Sequence, residues 1–218
     1  MNLQMPDKKP LFITGIGTGI GKTIVSAVLT EKLRADYWKP VQSGDLDNSD
    51  TLKVKELISN TKTIFHPETY RLTQPYSPHK SAAIDGIVID EAKFIVPKTN
   101  NQLLIEGAGG LMVPLNNHFL MIDLIKQLGV SVVLVSQNYL GSINHTLLSI
   151  AILKQYNIDI AGIIFNGRTD MDSESYILQY TKVKLLGRLP EFEQIDKTAI
   201  IKAGDHINLL SIRTDFAK

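Results

Sequence analysis

The densest cluster of chemically useful side chains in the sequence is Gly15-Ile16-Gly17-Thr18-Gly19-Ile20-Gly21-Lys22-Thr23. Glycines let a backbone adopt positive φ and approach an anion closely. If an apolar strand precedes this run and a helix follows it, the amides at the helix start face a phosphate with the helix dipole behind them. Lys22 then reaches the β- and γ-phosphates, and the Thr23 hydroxyl is placed to ligate magnesium. Five residues separate Gly15 from Gly21, one more than in the common phosphate-loop formula. The chemistry this predicts is phosphoryl transfer from a nucleotide held by Gly17, Thr18, Gly19, Ile20, Gly21, Lys22 and Thr23.

Further charges stand in apolar surroundings. In Gln102-Leu-Leu-Ile-Glu106-Gly107-Ala108-Gly109-Gly110 a carboxylate closes an apolar run, and an acid at the end of a buried strand needs a partner. Asp50, with Ser49 before it and Leu52, Val54 and Leu57 after it, reads as a capped helix start near the same edge. Carboxylate oxygens suit magnesium. Lys39, in Tyr37-Trp-Lys39-Pro40-Val-Gln-Ser43-Gly44, interrupts an apolar strand and calls for an anion, unless it is an edge lysine that snorkels to water.

These groups meet only if the elements between them are arranged accordingly. Leu11–Thr14, Tyr37–Val41, Leu103–Glu106, Val130–Ser136, Ala161–Phe165 and Leu185–Leu189 read as strands apolar at nearly every position, hence buried on both faces. Thr23–Arg34, Ser49–Ser59, Met121–Leu128, Ile143–Tyr156 and Ser173–Thr181 read as helices. The alternation predicts an α/β fold, a P-loop NTPase-like parallel sheet flanked by helices on both faces, with ligands at the carboxyl ends of its strands. The stretch His66–His79, with three prolines, reads as an irregular excursion, Asn166–Ser175 as a polar loop, and Ile207–Phe216 as a strand followed by a tail.

The bulk numbers narrow the function. With 218 residues, 44% hydrophobic and 21% charged, the chain reads as a single globular domain over residues 1–218. A formal charge of +1 speaks against gripping nucleic acid. The absence of cysteine excludes thiolate metal sites, disulfides and cysteine nucleophiles. Neither a secretory leader nor a bilayer-length apolar run is seen, and a cytoplasmic location with no membrane partner is expected.

Four segments together resemble the dethiobiotin synthetase family: the long phosphate loop, Trp38–Gly44, Ser77-Pro78-His79 and Glu106–Gly110. Gly141-Ser-Ile-Asn144-His145 is similar to a fifth. The matches run in family order over most of the chain. The resemblance implies a homodimer that converts 7,8-diaminononanoate, CO2 and ATP into dethiobiotin, ADP and phosphate, through a carbamate and a mixed carbamic–phosphoric anhydride. It further implies that Lys22 and Lys39 stabilise the γ-phosphate and carbamate, and that Thr23, Asp50 and Glu106 hold Mg2+. Thr18 and Ser43 would line the phosphate and substrate pocket, Gly107, Ala108 and Gly109 would lie along the diamine, and Asn144 would bind its carboxylate across the dimer interface. Tyr176 resembles a second carboxylate contact. Asn166 resembles the adenine-reading asparagine, and Pro190 lies on the family's other adenine-side loop.

One departure is evident. Family members often carry a Thr-Asp pair and then an acidic residue in the loop, where this sequence has Ile16, Gly17 and Gly19. The other reading of the same loop is a partitioning or positioning ATPase of the ParA and MinD kind. Those proteins usually carry an extra lysine early in the loop, and here positions 16 and 17 are isoleucine and glycine.

Overall fold

The computed structural model describes residues 9–208. In chain order its elements are β1 (Leu11–Gly15), α1 (Lys22–Leu33), β2 (Asp36–Trp38), β3 (Val41–Ser43), α2 (Asp50–Leu57), β4 (Phe65–His66), β5 (Tyr70–Leu72) and α3 (Pro78–Ile84). They continue with β6 (Leu103–Gly110), α4 (Met121–Leu128), β7 (Ser131–Gln137), α5 (Ser142–Gln155), β8 (Ile160–Asn166), α6 (Met171–Thr181), β9 (Leu185–Leu189) and α7 (Lys197–Ala203). Seven strands form one sheet in the order β4-β2-β6-β1-β7-β8-β9, every pair parallel.

Strand alternation sorts the apolar residues onto two faces. Leu11, Ile13, Tyr37, Leu104, Val133, Val135 and Ile164 pack with α1, Val54 of α2 and Ile200 of α7. Phe12, Trp38, Ile105, Val132, Leu134, Ile163 and Phe165 pack on the other face with residues of α3, α4, α5 and α6. A sheet buried on both sides accounts for strands with little polar content. Helix α1, enclosed between the sheet and its neighbouring helices, is buried continuously from Val25 to Thr30, as expected of a helix apolar around most of its circumference.

Three segments depart from the sequence reading. The expected strand Tyr37–Val41 is broken: β2 ends at Trp38 and β3 begins at Val41. Pro40, which has no N–H for a ladder, lies at the break, and its carbonyl accepts from the N–H groups of Thr69 and Tyr70 at 2.9 and 3.0 Å. Lys39 therefore follows a strand rather than interrupting one. The turn sends β3 into a separate two-stranded parallel sheet with β5, so His66–His79, read as irregular, contains the end of β4, all of β5 and the start of α3. Asn166–Ser175, read as a loop, already enters α6 at Met171, where Asp170 caps the helix by accepting from Ser173 N–H. Helix α7 was not anticipated. Of the stretch Ile207–Phe216, Ile207 bridges antiparallel to Gly187, and residues from 209 onward lie outside the described range.

Glu31, near the end of α1, ties that helix to the segment after α2. Its carboxylate accepts from Ser59 N–H and Oγ, both at 2.7 Å, and from Asn60 N–H and Nδ2 at 3.0 and 3.2 Å. Partial burial by itself lifts this carboxyl, but the donors from Asn60 and Ser59 outweigh it and hold it below its ordinary value near 4.5. A depressed carboxyl stabilises the fold above its unfolded value and loses that contribution as pH falls through the folded one. Glu31→Gln should lower unfolding free energy by at most about 1 kcal/mol at neutral pH, since solvent screens so exposed a carboxylate. In urea melts at several pH values, the gap from wild type should close as pH falls below the ordinary carboxylate range; a gap constant with pH would contradict this role.

Candidate active site

The phosphate loop is built as its glycines require. Gly19 and Gly21 have φ of 76° and 90°, the left-handed region that other residues enter at a cost. Gly21 caps α1, and Val25 N–H donating to Gly21 O at 3.0 Å is the first rung of the helix. The amides of Lys22, Thr23 and Ile24 precede that ladder and remain for an anion. Lys22 Nζ donates to Gly17 O at 2.8 Å across the loop. Burial lowers the Lys22 ammonium to about 8, with Lys39 also acting against its charge and Glu106 and Asp50 acting for it. A nearly desolvated lysine beside open amides is well suited to an incoming phosphate.

Glu106 lies within β6 rather than at its end, because that strand runs on to Gly110. Pairing with β1 slips here: Ile13 faces Glu106, yet the next pair is Gly15 with Gly110. The β6 residues between these pairs, Gly107, Ala108 and Gly109, bulge out as a wall, and bulges commonly re-aim side chains next to sites. The Glu106 side chain has no solvent exposure. Its Oε1 accepts from Thr23 Oγ1 at 3.0 Å and faces Lys39 Nζ at 3.4 Å, while Oε2 accepts from Tyr37 OH at 2.9 Å.

Lys39 lies between two acids, 2.8 Å from Asp50 Oδ2 and 3.4 Å from Glu106 Oε1. Burial alone would lower its ammonium, but Glu106 and Asp50 prevail and raise it, so it stays charged. Burial likewise lifts the Asp50 carboxyl, and Lys39, a hydrogen bond from Thr23 and the charge of Lys53 bring it below its ordinary value. Asp50 is the first residue of α2, whose Ser49 cap accepts from Leu52 N–H. Gln42 fixes that helix start by accepting from Asp50 N–H at 3.2 Å while donating to Gly44 O at 2.9 Å.

These groups surround a cavity of about 660 Å³. Of the residues expected from sequence, Thr18, Gly19, Gly21, Lys22 and Thr23 line it from the phosphate loop. Lys39, Ser43, Asp50, Glu106, Gly107, Ala108 and Gly109 line the rest. Ser43 Oγ is buried without a hydrogen-bond partner. The set Thr23, Asp50 and Glu106 offers oxygen donors alone, which fits a hard cation such as Mg2+. Ile20, also expected from sequence, is not among the lining residues: its side chain is buried in the core.

Other expected site residues lie elsewhere. Asn144 and Tyr176 line a second cavity of about 890 Å³, beside Tyr139, Gly141 and Arg168. One chain therefore does not bring them to the first. Asn166 borders neither: its Nδ2 donates to Ile20 O at 3.0 Å, and a Cβ at Gly21 would fall 2.1 Å from it. Exposed Pro190 follows β9 on the same side, where Gly167 N–H donates to Leu189 O at 3.0 Å. At Gly17 a side chain would meet nothing within 4 Å, so the loop makes its cradle with no acidic group there.

Sequence reasoning missed Tyr37, Gln42 and the wall formed by Pro75, Tyr76 and Val113. Tyr37 was recoverable, since positions two apart in extended chain share a side, and Tyr37 and Lys39 both reach Glu106. The wall was not, because Pro75 and Tyr76 follow a small second sheet and Val113 follows the slipped end of β6, and neither leaves a local pattern.

Comparison with known proteins places this geometry. Residues 9–199 match the model of the AAA domain family. The ATP-dependent dethiobiotin synthetase BioD of Christiangramia forsetii is 51% identical over 192 residues, covering 88% of this chain and 92% of that protein. The proteins of the same name from Cytophaga hutchinsonii and Chlamydia pneumoniae are 48% and 44% identical, covering 88% and 87% of this chain and 93% and 85% of theirs. Among solved structures, a ParA family ATPase from Chlorobium tepidum has a TM-score of 0.56 at 13% identity, covering 91% of this chain and 100% of that one. The septum site-determining protein MinD from Pyrococcus horikoshii, complexed with Mg-ADP, has a TM-score of 0.56 at 14% identity, covering 95% of this chain and 89% of that one. At such identities these two establish the fold, a P-loop-type parallel sheet with helices on both faces. The extent and identity of the sequence matches establish the family: the chain belongs to the ATP-dependent dethiobiotin synthetases.

Proposed function

We propose that this chain, acting as one synthetase unit in the cytoplasm, closes the ureido ring of dethiobiotin from 7,8-diaminononanoate, CO2 and ATP. The observation that carries the reading is the convergence of Lys22, Lys39, Thr23, Asp50 and Glu106 on one cavity beside a glycine-lined wall. One amine of the diamine adds CO2 and loses a proton, giving a carbamate. A carbamate oxygen takes the γ-phosphoryl group, releasing ADP and leaving a carbamic–phosphoric anhydride. The second amine attacks the carbonyl carbon, phosphate departs, and the five-membered urea closes. Positioning and charge neutralisation are what this chemistry asks of a protein.

The loop amides from Gly17 to Thr23 would hold the β- and γ-phosphates, with Lys22 leaving Gly17 O to meet the γ-phosphate. Lys39 stays protonated between its acids and would face the carbamate and the transferring phosphoryl group together. Thr23, Asp50 and Glu106 would hold Mg2+, which when bound neutralises phosphate charge. Ser43, with its unpaired hydroxyl, and the backbone of Gly107, Ala108 and Gly109 would line the diamine. Asn166 and Pro190 would flank the adenine beyond the loop.

The working form in this reading is a homodimer. Asn144 and Tyr176 stand apart from the first cavity, so a second copy would supply them to the far carboxylate of the diamine, at a helix start suited to an anion. Around them Leu140, Leu148, Met171 and Tyr180 are exposed, a surface that association would cover. Among the described residues no helix is long and apolar enough to cross a membrane. The alternative of a partner-switching ATPase rests on fold likeness alone.

Incubation with diamine, bicarbonate, ATP and Mg2+ should yield a cyclic urea by mass spectrometry, with ADP formed only when diamine and carbon source are both present; ATP hydrolysis driven by DNA or lipid instead would overturn the assignment. Lys22→Ala should fold, since it removes a desolvated charge, and should lower kcat by at least about a hundredfold; a rate near wild type would take Lys22 out of the mechanism. Asn144→Ala should raise KM for the diamine about tenfold and leave KM for ATP unchanged. Equal changes in both would refute the carboxylate role.

A further inference from the structure

Tyr37 is a polar group that the chemistry above leaves unused. It has no solvent exposure, and its ring packs against Phe65 with centroids 5.8 Å apart. It pairs in register with Leu104 of β6, two residues before Glu106 and on the same side of the strand. Its hydroxyl donates to Glu106 Oε2 at 2.9 Å. The other oxygen, Oε1, is the one turned toward Thr23 and Lys39. The carboxylate is thus divided, one oxygen bound to a rigid phenol in the core and one presented to the site.

A carboxylate able to turn both oxygens to a cation suits Ca2+, which accepts bidentate donors and a flexible shell of six to eight oxygens, whereas Mg2+ requires near-octahedral geometry. Hydrogen bonds from outside a metal's own ligand set orient those ligands and tune affinity. We propose that Tyr37 is a positioning residue that makes Glu106 a one-oxygen donor and thereby sets the preference of the nucleotide site for a small octahedral cation over a larger one. The inference rests on Thr23, Asp50 and Glu106 holding the divalent ion, and it assigns selectivity to a residue that itself touches neither metal nor nucleotide.

The test compares wild type, Tyr37→Phe and Phe65→Leu by isothermal titration of an ATP analogue with a non-transferable γ-phosphate, in Mg2+ and in Ca2+, with thermal melts to check folding. Tyr37→Phe keeps the packed ring and should lose about tenfold in Mg2+-supported affinity with little loss in Ca2+, so the Mg2+/Ca2+ ratio falls by nearly that factor. Phe65→Leu loosens the packing but keeps the hydroxyl, and should lower the melting temperature with the ratio unchanged. An equal loss for both ions in Tyr37→Phe, or none, overturns the inference while leaving the metal assignment standing. Analogue binding to wild type that is indifferent to any divalent ion overturns the metal assignment, and the role of Tyr37 with it. A second arm needs no variant: in wild type labelled with 13C-glutamate, the infrared difference spectrum on adding Mg2+ should show the wide carboxylate band splitting of one-oxygen binding, and the narrow splitting of two-oxygen binding would overturn the proposal.

Discussion

Glu106 has no access to water, and an isolated carboxylate in that position is strongly unfavourable. Much of the surrounding structure follows from compensating it. Tyr37 and Thr23 donate to its oxygens, Lys39 supplies the opposite charge, and Asp50 shares that lysine. Removing one member of such a cluster leaves its partners desolvated and unbalanced, which costs far more than the net worth of a single ion pair. The arrangement is made of groups that satisfy one another and that a nucleotide and a cation could equally satisfy.

The elements that bring these groups together are far apart in sequence. Thr23 begins α1, Tyr37 belongs to β2, Asp50 begins α2 and Glu106 lies in β6. In the sheet β2, β6 and β1 are neighbours, and strand alternation turns Tyr37 and Leu104 to the face covered by α1 and α2. Parallel pairing places the carboxyl ends of these strands along one edge, so the chain needs only short connections to assemble a site there. The slip between β1 and β6 then lifts Gly107, Ala108 and Gly109 out as a wall.

How much of this could be read from sequence differs from residue to residue. The phosphate loop was legible because its signal is local: glycines at fixed offsets between an apolar strand and a helix. The helices were legible because burial on one face leaves a period, and the large strands because burial on both leaves a continuous apolar run. Tyr37 escaped notice because in an apolar run it reads as a core aromatic; its spacing of two from Lys39 is the one local hint, and its pairing across to β6 reveals the task. The strand β5 escaped because it pairs with β3 alone in a small separate sheet, and three residues hold too little periodicity to register. The distance of Asn144 from the first cavity was implied by the family resemblance, which puts it across a dimer interface, and by no local pattern, since it depends on the strand order that carries β7 and β8 to the other side of β1.

Pro40 has a consequence for how such a scaffold can diversify. By ending β2 and diverting the chain, it places Ser43 on a small second sheet and lets Pro75 and Tyr76 follow that sheet's other strand to the rim of the cavity, while the phosphate machinery stays embedded in the central layers. Replacements in the segment that follows β5 could reshape the chamber for longer, shorter or bulkier amines, whereas β3 itself is tied to the charged cluster through the contact of Gln42 with Asp50. Substrate range and energy coupling can thus be inherited separately, on two parts of the molecule with different tolerance for change.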